Sequence, residues 1–228
     1  MRLFLVHQIS FFMLLFPVHL YGQSDQKMKY LALGDSYTIG ESVEFIDRFP
    51  VQLVTKLRFK GLDFAMAEII AKTGWTTDEL NAGINAEHPG NNYDLVTLLI
   101  GVNNQYRGGK LETYEIEFED LLKRAMAFAK GKKERVIVIS IPDYGVTPFG
   151  QKKGRKKIAK EIDLFNESNL NISKTYGVAY VDVTEISRKA YRRMNLIAED
   201  GLHPSSEMYA QWVEQILPVA VDILQSTD

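Results

Sequence analysis

A parallel β-sheet covered by helices on both faces is the fold class that this sequence predicts. Three observations carry the prediction. Five short apolar segments, at 28–33, 62–70, 93–100, 135–141 and 178–183, read as strands, and the near-continuous ones read as buried on both faces. Stretches with apolar residues at helical spacing separate them, at lengths that allow crossovers between parallel strands. Glycines stand at or just beyond the ends of the first three, at Gly34, Gly74 and Gly101.

In chain order, the first strand is stopped by Gly34, which leaves Ser36 just past its C-terminal end. Residues 48–60 place Phe49, Leu53, Val54 and Leu57 on one helical face, and Gly61 ends that run. After the second strand, Thr76 or Thr77 caps a short helix through Leu80 and Ile84. His88-Pro89-Gly90-Asn91-Asn92 is dense in turn formers and reads as a loop. The third strand is the clearest, with Leu95, Val96, Leu98, Leu99 and Ile100 nearly unbroken. A long amphipathic helix over 112–130 follows, with Ile116, Leu121, Leu122, Ala125 and Phe128 as its inward stripe and Gly131 as its stop. The fourth strand centres on Val-Ile-Val-Ile, and 142–154 reads as a long loop. A helix carrying Ile158, Ile162, Phe165 and Leu170 then leads to the fifth strand, and 205–224 forms the last helix.

The 228 residues suffice for one good-sized core, so one domain is expected over 23–228. Hydrophobic residues at 46% and charged residues at 25% are ordinary for a globular chain. A formal net charge of −2 gives no footing for nucleic-acid binding, which needs a basic surface. Without cysteine the chain has neither disulfides nor thiolate metal sites. The basic cluster Lys152-Lys153-Gly154-Arg155-Lys156-Lys157 reads as a solvated helix start in preference to an anion contact.

The N-terminus has the plan of a secretory signal peptide. Met1-Arg2 supplies a positive start, 9–20 is a nearly uncharged apolar stretch, and Gly22, Gln23 and Ser24 follow. Residues 1–22 are therefore expected to be removed, with cleavage near Gly22. The stretch is short for a membrane span, and the mature protein is expected to be exported, with no stable membrane insertion.

The strand ends assemble a set of groups suited to acyl transfer. Such chemistry needs a nucleophile, a base, a group that orients the base, and donors for the developing oxyanion. Ser36 supplies a hydroxyl at a strand end, where open α/β sheets meet their ligands. His203 supplies an imidazole, a side-chain type suited to accepting and returning a proton. Asp200, three residues earlier, can reach its ring. The backbone N–H groups of Ser36 and Gly74 and the side-chain amide of Asn103 suit an oxyanion hole. Taken singly, each has a plainer role: Ser36, Gly74 and Asn103 as turn residues, and His203-Pro204 as a loop end. His7 and His19 fall in the leader and His88 in a turn, so none competes with His203.

Gly34-Asp35-Ser36, Gly74, Gly101-Val102-Asn103-Asn104 and Asp200-Gly201-Leu202-His203 resemble the four motif blocks of the SGNH hydrolases, also called the GDSL esterase/lipase family. The blocks run from the first strand to the last helix. The resemblance implies a flavodoxin-like three-layer α/β/α sandwich with a central five-stranded parallel sheet. It implies ester hydrolysis without a metal or other cofactor, with Ser36, His203 and Asp200 as triad and Ser36, Gly74 and Asn103 as oxyanion donors. The family's third block usually reads Gly-x-Asn-Asp. Here Asn104 stands in the last place, which keeps the donor Asn103 and leaves open what bonds the loop.

An α/β-hydrolase, whose triad has the same order, is discounted because its Gly-x-Ser-x-Gly elbow would need glycine where Thr38 stands, and because its acid and base are normally far apart in sequence, unlike Asp200 and His203. The expected substrate is a small-molecule or carbohydrate ester, with Tyr37, Tyr106 and Arg107 either shaping its rim or serving as core and solvated charge. An inactive ligand-binding descendant and an acyltransferase on the same fold are the alternatives.

Overall fold

Short runs that are apolar on both sides of the pleat must be buried on both faces, and they build the centre of the sheet. A computed structural model describes residues 27–226, so the expected leader lies outside the described residues. Strands β1 (Tyr30–Gly34), β3 (Leu95–Leu99) and β4 (Val136–Ile139) are buried along their whole length. The flanking β2 (Glu68–Ala71) and β5 (Ala179–Val181) are more exposed, as edges are. All pairs are parallel, in the order β2-β1-β3-β4-β5.

Nine α-helical segments lie among the described residues: α1 (Ser36–Ile39), α2 (Phe49–Phe59), α3 (Thr77–Glu87), α4 (Val102–Tyr106), α5 (Leu111–Phe128), α6 (Pro148–Gln151), α7 (Arg155–Tyr176), α8 (Thr184–Arg188) and α9 (Ser206–Gln225). The strand order reverses after β2, so right-handed crossovers put α2 on one face and α3, α5 and α7 on the other. The packing agrees: α2 lies against α9, and α3, α5 and α7 pack in succession. The result is the expected α/β/α sandwich.

Phe49, Leu53, Tyr209, Trp212 and Ile216 fill the α2–α9 face at or near zero exposure. Each such side chain stabilises the fold by about 1.5–3 kcal/mol through burial. Among the described residues, no helix is long and apolar enough to cross a membrane.

Three expectations need correction. The segment 62–70 is not one strand: Phe64 makes a single bridge to Met28, and ladder pairing with β1 begins only at Glu68. Ile116 is 72% exposed. The inward stripe of α5 is Tyr114, Phe118, Leu121, Leu122 and Ala125, and a residue two positions from Tyr114 lies on the far side of the helix. The segment 142–154 is not an open loop. Asp143 accepts from the Gly145 N–H at 2.8 Å, Thr147 Oγ1 accepts from the Gly150 N–H at 3.0 Å, and Pro148 opens α6. These capping residues also read as turn formers, which hides a one-turn helix.

Candidate active site

The strand order reverses between β1 and β3, and such a switch point leaves a crevice beyond the carboxyl ends of the strands. Ser36 opens α1 and Asn103 is the second residue of α4, the helices that leave those two strands. The turn into Ser36 is tight: a Cβ on Gly34 would lie 2.1 Å from Thr38 Oγ1 and 2.4 Å from the Leu99 carbonyl oxygen. Only glycine fits there.

Asp35 caps α1 by accepting from the Tyr37 N–H at 3.0 Å. Its second carboxyl oxygen, Oδ2, has no hydrogen-bond partner among the described residues, and complete burial pushes its pKa up to about 7 against the lowering effect of the Tyr37 and Asp35 backbone N–H groups.

The third strand-end segment, after β2, turns at Gly74 with φ +86°, a conformation that glycine alone adopts without strain. The Gly74 carbonyl is held by Arg107 Nη2 at 2.6 Å, and Arg107 Nη1 also pairs with Glu79 at 3.2 Å. One residue on, the Trp75 carbonyl accepts from Asn103 Nδ2 at 2.9 Å. An amide nitrogen carries two hydrogens, so Asn103 keeps one for another acceptor. Thr76 is the N-cap of α3, and its N–H donates to the Glu79 carboxylate at 2.9 Å, one arm of a capping box.

Asn104 answers the question of the missing aspartate. Its Oδ1 accepts from the Thr77 N–H at 3.1 Å, and its Nδ2 donates to Thr77 Oγ1 at 2.7 Å. Thr77 then passes its own hydroxyl hydrogen to Glu117 on α5. The loop is thus bonded by an amide, with the carboxylate one step away.

Asp200 and His203 precede α9, whose N-cap is Ser205. Asp200 Oδ1 accepts from the backbone N–H groups of Leu202 and His203 at 2.9 and 3.0 Å. Its Oδ2 lies 2.5 Å from His203 Nδ1 and accepts from Ser42 Oγ at 2.8 Å. Burial opposes ionisation of Asp200, but the imidazole, the two N–H groups and Ser42 outweigh it and hold the pKa at about 2. The carboxylate therefore stays charged and fixes the imidazole by its Nδ1 side, leaving Nε2 for other work. Helix α9 is tied to α1 through Tyr209 Oη, which donates to the Tyr37 carbonyl at 3.0 Å. The Tyr37 ring meets the His203 ring edge-on at 5.8 Å.

Ser36, Gly74, Asn103 and His203 line one cavity of about 160 Å³, together with Tyr37, Tyr106 and Phe149. Ser36 and His203 make no hydrogen bond to each other here; bonds of this kind are often long in a resting enzyme and tighten in the Michaelis complex. Tyr37 is a nearly buried wall, whereas Tyr106 is 47% exposed at the rim. Arg107 is not part of the lining and instead grips the Gly74 turn. Ser42 and Phe149 had no signal in the sequence, because each reaches the site through tertiary packing. Among the described residues, no group of three or more His, Asp or Glu side chains is arranged to hold a metal ion. The arrangement gathers a hydroxyl, an oriented imidazole and amide donors around one small cleft, as ester cleavage requires.

Comparison with known proteins points the same way. A family described as GDSL-like Lipase/Acylhydrolase matches residues 32–211. No curated protein matches the chain in sequence. Among solved structures, TesA superposes with a TM-score of 0.69 at 17% identity, covering 86% of this chain and 100% of its own. The lipase/acylhydrolase from Enterococcus faecalis gives 0.67 at 20% identity, over 88% and 99% of the two chains. A mutant of Axe2, an acetyl-xylooligosaccharide esterase from Geobacillus Stearmophilus, gives 0.64 at 19%, over 85% and 94%. At these identities the likeness shows a shared fold.

Proposed function

Because the chain belongs to the GDSL-like lipase/acylhydrolase family, we propose that it is an exported serine esterase in which Ser36, His203 and Asp200 act as a triad on small-molecule or carbohydrate esters. The observation that carries the reading is the Asp200–His203 pair, with its ring on the same cavity as Ser36, Gly74 and Asn103. Export is supported by the charged start and apolar stretch of the first 22 residues.

In the first step the Ser36 hydroxyl oxygen attacks the ester carbonyl carbon, and His203 Nε2 takes the hydroxyl proton. Asp200 stabilises the resulting imidazolium through Nδ1. Negative charge moves to the carbonyl oxygen, where the Ser36 and Gly74 N–H groups and the remaining Asn103 amide hydrogen receive it. The tetrahedral centre collapses, the bond to the alkoxy oxygen breaks, and His203 returns its proton to the departing alcohol. Water, deprotonated by the same imidazole, then cleaves the acyl-serine and releases the acid.

Replacing Ser36 by Ala and following p-nitrophenyl acetate hydrolysis tests the reading. The expected loss in kcat is on the order of 10⁴- to 10⁶-fold. Activity retained near the wild-type level would reject Ser36 as nucleophile.

A further inference from the structure

The turn that follows α1 reaches the Asp200–His203 pair from another part of the fold. Ser42 Oγ donates to Asp200 Oδ2 at 2.8 Å, across 158 positions of sequence. We propose that Ser42 is a positioning residue of the triad, holding the Asp200 carboxylate in the plane that orients His203. The inference rests on the esterase reading and deepens it.

The bonding of the carboxylate shows why such a donor matters. Oδ1 accepts from the Leu202 and His203 N–H groups, and Oδ2 meets His203 Nδ1 at 2.5 Å. All of these partners belong to the turn that carries Asp200 itself, so they move with it. Among the described residues, Ser42 is the one hydrogen-bond donor that reaches this carboxylate from elsewhere. It ties the Asp200–His203 unit to a frame that its own turn does not supply.

That frame belongs to the nucleophile. The Gly40 and Glu41 N–H groups both donate to the Ser36 carbonyl, the second at 3.0 Å. The Glu41 carboxylate accepts from Thr73 Oγ1, and Thr73 lines the catalytic cavity beside Gly74. Two consecutive side chains thus bond the turn after Ser36 to the oxyanion loop on one side and to the triad acid on the other.

The backbone points to the same role. Ser42 takes φ +64°, a left-handed conformation that glycine adopts freely and serine does not. Packing returns little of that cost, since Ser42 is exposed. What the hydroxyl adds here is the bond to Asp200, and strain of this kind persists where a site uses it. At an exposed position water can replace the bond in energy, so the fold loses little without Ser42. Water does not fix the direction of the carboxylate, so the triad loses more.

The test measures p-nitrophenyl acetate hydrolysis by Ser42→Gly and Ser42→Ala. Both lack the hydroxyl, and glycine also relieves the strain, so Ser42→Gly should fold with Tm within about 3 °C of wild type. The expected kcat falls about tenfold in each variant while KM stays within about twofold, as a misaligned triad requires. In an Asp200→Ala background the same Ser42→Gly change should alter kcat by less than about twofold, because its target is gone.

A kcat for Ser42→Gly within about twofold of wild type would overturn the assignment. So would a rise in KM at unchanged kcat, or an equal loss in the Asp200→Ala background. Absence of p-nitrophenyl acetate hydrolysis by the wild-type protein would instead overturn the esterase reading.

Discussion

Asp35 stands between the first strand and Ser36 with one carboxyl oxygen bonded and the other without a hydrogen bond among the described residues. Its pKa is pushed up to about 7 by burial, whereas an unfolded chain titrates near 3.9. The folded protein therefore holds the proton more tightly. The stability this contributes is complete below about pH 4 and is lost as the pH rises through about 7. Asn at this position keeps an acceptor for the Tyr37 N–H and never ionises. We expect the stability of Asp35→Asn, relative to wild type, to rise by roughly 1–4 kcal/mol between pH 4 and pH 8. Urea unfolding across that range measures it, and parallel pH profiles would contradict the expectation. Asp200 shows the opposite case at the same scale. Its donors hold the carboxylate ionised, and one of them, Ser42, sits at φ +64°, a strained setting for a serine. The Asp200–His203 spacing was legible because both lie in one turn. The Ser42 contact was not, because nothing local in the sequence pairs residue 42 with residue 200.

At the scale of elements, the bonded chain Asn104–Thr77–Glu117 fastens α4, α3 and α5 around the Gly74 turn. Its direction is set by the amide, which gives a hydrogen to Thr77 Oγ1 and so commits the threonine hydrogen to Glu117. An aspartate at 104 cannot donate. It would compete for the threonine hydrogen and leave Glu117 without its donor, beside a new negative charge. Asn104→Asp should therefore cost about 1–2 kcal/mol of unfolding free energy. Adding Glu117→Gln, which can donate to Thr77, should recover most of that loss in a double-mutant cycle. Additive effects of the two substitutions would show that the chain is not coupled. The misreadings in the sequence were also at this scale. Ile116 fits a loose apolar stripe on α5, but Tyr114 and Phe118 define the true inward face. Tyrosine's hydroxyl conceals it in a hydrophobicity pattern, yet Tyr114 is buried and donates to Asn169 Oδ1 at 2.7 Å.

For the whole molecule, the order β2-β1-β3-β4-β5 decides which strand ends share the crevice. The alternation of strands and helices was readable from apolar periodicity, and so was the parallel class. The strand order was not, since it depends on which segments pair at long range. That order sets Ser36 beside Asn103. The packing of α9 on α2 and the Tyr209–Tyr37 hydrogen bond bring the last helix, and with it His203, onto the first strand's end. On the triad reading, this closure activates Ser36 alone among the serines of the chain. A fluorophosphonate probe followed by peptide mass spectrometry examines it most directly, since the probe phosphonylates an activated hydroxyl and loses fluoride. A single adduct on Ser36, abolished in His203→Ala, is the expected result. An unlabelled protein, or an adduct carried by another residue, would contradict it.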